Sequence, residues 1–445
     1  MRRRTPLQPQ RVLVLSFLLL ILTGTLLLQT PWATPPDQPI PFIDALFTAT
    51  SATCVTGLTV RDTGTGFTLF GQLVILSLIQ LGGLGIMTFS ILGTAVVERR
   101  LSIPARSLLA QTITGTDRPD LIAVLKLVLR FTLIVELLGA VLLWIRWREQ
   151  YPVTDAAYLA LFHAISAFCN AGFGLWTDSL AAYRADAYVV VVVCVLIVLG
   201  GLGFITVHDL LRLRQRKSLH ARIVVWTTGV LTLGGAAVFW LLERRHLLQG
   251  LSASESLLVS LFQSVTARTA GFSTVDIGAL ASPTLLLLIV LMFIGGSPGS
   301  CAGGIKTTTS ANLVLAFWNR LRRRTHVNVA GRTIPQDSVA TAVNITLAGL
   351  GAVLLGWFAL LVCESGNSLP AQHDPFTSCF FETVSALGTV GLSTGITPYL
   401  EPLSRLVLTG LMFSGRVGPL TLALALASPD PIRDWQYPEE EVMVG

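Results

Sequence analysis

Eight long apolar runs occupy most of this 445-residue chain and constrain its fold more than any other feature. They fall at about 12–29, 70–96, 123–145, 187–211, 222–242, 284–320, 339–363 and 403–427, the sixth interrupted by glycines, serines and a lysine. A bilayer core of ~30 Å takes about 20 apolar residues per helix, so each run is long enough to cross. Charged residues make up 13% of the chain, whereas soluble domains carry about 25%. No polar stretch is left for a separate soluble domain. The expected fold class is an all-α polytopic membrane protein.

The net charge of +6 does not point to nucleic acid. The basic residues sit in short clusters between runs, "ERRLSIPAR", "RLRQRKSLHAR" and "NRLRRRTHVNVAGR", as flanks of spans do. Counted by side, nineteen Lys and Arg share the side of the N-terminus and seven lie opposite. Positive loops stay in the cytoplasm, so both termini are expected there. The start, "MRRRTPLQPQRVLVLSFLLLILTGTLLL", has the charge plan of a signal peptide. Its apolar run is long and no A-x-A site follows, so it reads as an uncleaved first span. Six scattered cysteines with no C-x-x-C pair support neither a disulfide framework nor a zinc site.

Internal repeats appear between alternate runs. Four shorter pieces read "LFTATSATCVTGL", "LFHAISAFCNAGF", "LFQSVTARTAGF" and "FFETVSALGTVGL". Each carries an apolar residue and Phe, three variable residues, Ser or Thr, Ala, and a tail ending in Gly and Leu or Phe; the third is one residue shorter. The matching glycines are Gly57, Gly172, Gly271 and Gly391. Four copies in phase define a span–short helix–glycine loop–span unit. The repeats are 1–96, 119–217, 218–324 and 335–428, followed by a cytoplasmic tail at 429–445.

The short helices, expected at about 42–52, 155–167, 254–267 and 374–386, cannot cross a bilayer. Non-helical backbone is tolerated at membrane depth only where protein or a water-filled cavity surrounds it. A re-entrant helix followed by extended backbone presents carbonyl oxygens to such a cavity, and rings of carbonyls can replace the water shell of a monovalent cation. Glycine leaves no side chain in a narrow passage. Helix C-termini aimed at the cavity favour a cation over an anion. The expected architecture is eight transmembrane helices and four re-entrant pore helices around one pseudo-four-fold pore. The plainer alternative, glycine-mediated helix contacts, explains the glycines but not the recurring half-length helix.

These four units resemble the M1–P–M2 repeats of the Trk/Ktr/HKT potassium transporter superfamily over nearly the whole chain, most closely its KtrB branch. The resemblance implies a pore-forming subunit of a bacterial potassium uptake system in the plasma membrane. It implies an ion filter of Val55, Thr56 and Gly57; Asn170, Ala171 and Gly172; Thr269, Ala270 and Gly271; and Thr389, Val390 and Gly391. Four glycines go with potassium preference in the family; Na+ is a second possible ion. No cofactor is implied. The implied partners are a second copy in a homodimer and a cytosolic nucleotide-binding RCK ring of the KtrA type. Basic inner loops and the acidic tail "YPEEEVMVG" are compatible with such a ring.

Below the filter, the second spans read "IQLGGLGIM", "IVLGGLGFI" and, in the fourth unit, "MFSGRVGPLTL". Arg416 thus sits mid-span, where an arginine costs about 3 kcal/mol or more. The resemblance implies a pore barrier at the inner mouth of the filter; a structural arginine paired with a helix-end carbonyl is the other reading. Arg130 and Glu136 are expected to pair or to face a bundle interior. Asp44, Glu255, Asp374 and Glu382 either concentrate cations at the entrance or cap and support the loops. His163 and Gln263, at matching places, are expected to support the filter.

The break in the third unit reads "GGSPGSCAGGIKTTTS", residues 295–310. A Walker A loop is excluded, since Ile305 separates Gly304 from Lys306 and no strand precedes it. An intramembrane protease lacks its Ser–His or Asp–Asp pair. A secondary transporter of an anion or small solute, with broken helices at the midplane, is the remaining rival, although it usually shows two inverted repeats rather than four in one orientation. By the resemblance this segment is an intramembrane gating loop, carried by Gly295, Gly296, Ser297, Gly299, Ser300, Gly303, Gly304 and Lys306. A fixed structural kink is the alternative.

Overall fold

The architecture is that of a computed structural model describing residues 9–98, 121–211, 217–324, 326–367, 369–370 and 374–426. The tail at 429–445, residues 427–428, the arginines Arg2, Arg3, Arg4 and Arg433, residues 99–120 and residues 212–216 of the second basic connection lie outside the described residues. Among the described residues the chain is mostly helical, with one small β-hairpin pairing Val327–Val329 with Arg332–Ile334.

Four helices are long and apolar enough to cross a membrane unbroken among the described residues, or five if one bent pair counts as a span. They are α1 (Pro9–Leu28), α5 (Leu121–Trp147), α9 (Leu219–Glu243) and α13 (Gln336–Cys363). Between 22% and 33% of the residues in their spans are buried. Leu19, Leu26, Leu233 and Leu355 are among the large apolar side chains left outside, which suits lipid and not water.

Each long helix is followed by a short one: α2 (Phe42–Thr53), α6 (Val153–Phe168), α10 (Ala253–Thr266) and α14 (Pro375–Gly388). Residues with extended backbone precede them, Pro41, Pro152, Ser252 and Asp374. Ser252 and Asp374 also accept hydrogen bonds from backbone N–H groups of the first turn, as N-caps do. In contrast to the long helices, the short ones are buried along most of their length, with Phe47, Phe162, Phe262 and Phe381 fully enclosed.

The helices that follow complete the fold: α4 (Leu69–Glu98), α7 (Ala187–Leu202) with α8 (Phe204–Leu211), α11 (Ser282–Phe293) with α12 (Thr307–Leu321), and α15 (Pro402–Val417) with α16 (Pro419–Leu426). Each packs against the short helix of the next repeat: α4 on α6, α7 on α10, α11 on α14, and α15 on α2. The last contact closes a ring.

Two runs expected as single helices are broken. The run at 187–211 bends by 102° at Gly203, whose φ is +80°. The run at 403–427 breaks at Gly418, with φ +94°. Glycine adopts such angles at little cost. At Gly203 the reason is visible: the carbonyl of Pro298 stands 2.6 Å from where a Cβ would be, and Phe204 N–H donates to the Gly299 carbonyl at 3.1 Å. A loop from another repeat docks into the bend.

Candidate ion-passage site

The four short helices end the same way. Val55, Asn170, Thr269 and Thr389 have φ between 49° and 71°, a left-handed conformation uncommon outside glycine. Two residues on, Gly57, Gly172, Gly271 and Gly391 have φ between 70° and 93°. The residues between, Thr56, Ala171, Ala270 and Val390, are fully buried.

These triplets meet. A Cβ on Gly57 would stand 3.1 Å from the Gly172 Cα; on Gly172, 2.8 Å from the Gly271 Cα; on Gly271, 3.3 Å from the Gly391 Cα; and on Gly391, 3.0 Å from the Gly57 Cα. The glycines therefore form a closed circuit in chain order. The carbonyl oxygens of Ala171, Ala270, Val390 and Thr56 lie against the same four positions in turn. No side chain fits at any of them.

Hydroxyls brace this backbone. Ser51 accepts from Gly57 N–H at 3.1 Å and donates to the Leu58 carbonyl at 2.7 Å. Ser166 donates to the Phe173 carbonyl (2.7 Å), Thr266 to that of Phe272 (2.6 Å), and Ser385 accepts from Gly391 N–H (3.1 Å). These are the Ser or Thr constants of the repeat. Their recurrence was legible in the sequence, and their role was not. One turn earlier, His163 accepts from Leu175 N–H at 3.3 Å, Gln263 donates to Ser273 and Thr274, and Glu382 accepts from Ser393, Thr394 and Thr397. All three hold the strand that leaves the triplet.

A cavity of about 380 Å³ opens above the circuit and is lined by all four glycines. Asp62, Asp178 and Asp276 line it as well. Sequence reasoning missed these three; an acid five or six residues after the motif glycine, in three repeats of four, was the available signal. The candidates it named lie elsewhere. Asp44 pairs with Arg405 and Glu255 with Arg184, while Asp374 caps α14. Glu136 does not pair with Arg130. It is buried, accepts from Gln80 Nε2 at 3.1 Å and contacts Cys169 Sγ at 3.8 Å, whereas Arg130 is exposed.

Below the circuit, residues 294–306 fold back between α11 and α12. Gly295 N–H donates to the Ile305 carbonyl (2.9 Å) and Thr307 N–H to that of Gly296 (3.0 Å), closing the base. Ser297 N–H and Cys301 N–H donate to the carbonyls of Gly201 and Gly200 at 2.9 and 3.1 Å, which the bend at Gly203 leaves unpaired within the helix. Ser300 donates to the Ser297 carbonyl (2.6 Å), and Gly299 and Gly304 take φ of 72° and 64°. A Cβ on Gly303 would collide with the Thr389 side chain, and one on Gly304 would sit 3.4 Å from the Gly388 carbonyl. The loop thus lies under the fourth triplet. Lys306 Nζ donates to the Ala302 carbonyl at 2.6 Å, inside its own loop.

Arg416 is buried and belongs to the same assembly. It donates to the Cys301 carbonyl, and through Nη2 to the Gly82 carbonyl at 3.1 Å. One side chain on α15 therefore ties the loop to α4. The sequence placed Arg416 near the break in depth but could not name these acceptors.

A ring of short buried helices, with long helices outside that leave large apolar side chains exposed, defines a multi-pass membrane protein. The chain belongs to the TrkH family of cation transport proteins, whose family model matches residues 8–432. It is 39% identical to the Ktr system potassium uptake protein B of Bacillus subtilis, covering 98% of this chain and 97% of that one. It is 36% identical to the potassium/sodium uptake protein NtpJ of Enterococcus hirae, covering 100% and 99%. In fold it is similar to the crystal structure of the potassium transporter TrkH from Vibrio parahaemolyticus, with a TM-score of 0.75 and 21% identity over 96% of this chain and 87% of that one. The KtrB-type resemblance drawn from the repeats is thereby borne out.

Proposed function

We propose that the chain is the pore-forming, ion-translocating subunit of a bacterial potassium uptake system, with eight spans and four re-entrant helices around one pseudo-four-fold pore. Potassium passes, desolvated, through a filter made by the four glycine-ended triplets. The observation that carries this reading is the closed circuit of Gly57, Gly172, Gly271 and Gly391 with four backbone carbonyls beside it. Positive φ at the first and third residue of each triplet turns backbone carbonyls toward a common axis, where they can stand in for hydration water. The three aspartates of the upper cavity attract cations and raise their local concentration.

The loop at 294–306 is the gate, and Arg416 is both its tether and a positive charge under the filter. Sodium is a second permeant candidate, supported by the name of the Enterococcus relative. The natural assembly is a homodimer in the plasma membrane, both termini cytoplasmic, on a cytosolic nucleotide-binding ring. The Ktr system named in a relative supports a partner subunit.

The test is potassium and sodium uptake into liposomes holding the purified chain, beside Gly57→Ser. The parent is expected to take up potassium well above empty vesicles. A serine at a φ of +93°, with its Cβ 2.5 Å from the Ala171 carbonyl, costs about 1–3 kcal/mol of strain and must displace one side of the ring. Potassium uptake falls and the sodium share rises. Parent uptake equal to that of empty vesicles sinks the pore; an unchanged ion ratio in the variant sinks the filter.

A further inference from the structure

Directly beneath the circuit, sulfur atoms gather. Cys169 precedes the second triplet, and Cys301 lies in the loop. A Cβ on Gly83 would stand 2.9 Å from Cys169 Sγ and 3.6 Å from Cys301 Sγ, so the two thiols share one small volume. Cys301 Sγ lies 3.7 Å from Met87 Sδ on α4. All three side chains are buried. Gly83, without a side chain, leaves room for the two thiols. Among the described residues no three His, Cys, Asp or Glu are grouped to hold a metal ion; here the third donor is a thioether.

We propose that Cys169, Cys301 and Met87 form a binding site for a soft monovalent metal ion, silver(I) or copper(I), which on binding joins the loop to the second short helix. Thiolate and thioether sulfur are the donors such ions select. Each cysteine–metal bond forms as the thiol proton leaves to pore water, and Met87 contributes a lone pair with no proton change. One monovalent ion on two thiolates carries one net negative charge. The guanidinium of Arg416, bonded to the Cys301 carbonyl, offsets it, and the Glu136 carboxyl, 3.8 Å from Cys169 Sγ, faces the same site. The route of entry rests on the pore reading: a small monovalent cation arrives through the passage itself, while burial keeps bulky thiol reagents out.

Silver nitrate is the probe, added to the full-length protein in chloride-free buffer. Retained silver is counted after desalting, and thiols are then mapped by maleimide labelling in denaturant and mass spectrometry. The expected result is about one silver ion per chain, with Cys169 and Cys301 protected together and Cys363 still labelled. Mapping the parent needs no substitution, so misfolded variants cannot obscure it. Cys301→Ala and Cys169→Ala should each cut silver retained at the pair by about tenfold or more, and Met87→Leu by less. Silver kept equally by the double Cys→Ala variant, or protection of one thiol without the other, overturns the site. Silver held by the pair while potassium flux is unchanged keeps the site and sinks the pore reading instead.

Discussion

Three of the four repeats close the space beneath the glycine circuit in one way and the third closes it in another. A Cβ on Gly82, Gly200 or Gly415 would fall on the carbonyl oxygen of Thr53, Phe168 or Leu387, in each case four residues before the motif glycine. These second helices touch their own short helices backbone to backbone. At the matching place in the third repeat, Gly295 faces the carbonyl of Gly303, a residue of its own loop. The same glycine thus serves rigid packing three times and a fold-back once. Where the packing partner is another helix, nothing can shift without separating two elements. Where it is a loop with three further glycines, movement breaks the loop's own docking bonds but separates no pair of helices.

Valine at the two kinds of site separates them most sharply. Gly200→Val puts three carbons where the Phe168 carbonyl stands, with no flexible neighbour to yield. Overpacking of that kind lies at the severe end of single substitutions, about 4 kcal/mol or more, and folded protein should be lost from size-exclusion profiles. Gly295→Val pushes only on Gly303 and its loop, so the protein should stay monodisperse and pass more potassium. Equal loss of folded protein from both would erase the distinction.

The next largest effect is expected from removing residues 299–304. The deletion takes away the Gly299 carbonyl that accepts from Phe204 N–H at the bend and the Cys301 carbonyl that Arg416 grips, while α11 and α12 keep their contacts with α14 and α9. Potassium flux into liposomes should rise several-fold. Flux equal to that of the parent would mean that the third repeat is as fixed as the others.

Much of this contrast was legible in the sequence, because it is written locally. The short helices fall within two residues of where the repeated motif and its glycine tail place them, and the interruption after Phe293 was plain. The pentapeptide LGGLG marks the limit. At 81–85 it continues as helix, whereas at 199–203 it bends by 102°. The two copies are identical, so no local propensity distinguishes them. What differs is the loop apex at Pro298 and Gly299, almost a hundred residues away, which occupies the second copy and not the first. The partners of Arg416 and the meeting of Cys169 with Cys301 were hidden for the same reason. Both depend on which repeat faces the fold-back, and four near-equivalent repeats do not announce that.

The finest test asks what holds the loop. Arg416 ties it to a different helix, bonding Cys301 and Gly82 carbonyls from α15, whereas Lys306 bonds Ala302 within the loop itself. Arg416→Gln leaves two buried carbonyls without their charged donor, a loss of about 1–3 kcal/mol for each unsatisfied group. It releases the loop from the frame, so flux should rise together with a fall in thermal stability. Lys306→Met removes one contact internal to the loop, a loss of about 1–3 kcal/mol for one carbonyl rather than two, and the tether to the first and fourth repeats survives. Its flux should stay near that of the parent. The reverse order, with Lys306→Met the leakier variant, would mean that the loop is set by its own internal bonds and that the third repeat differs from the others by its sequence alone, not by its grip on its neighbours.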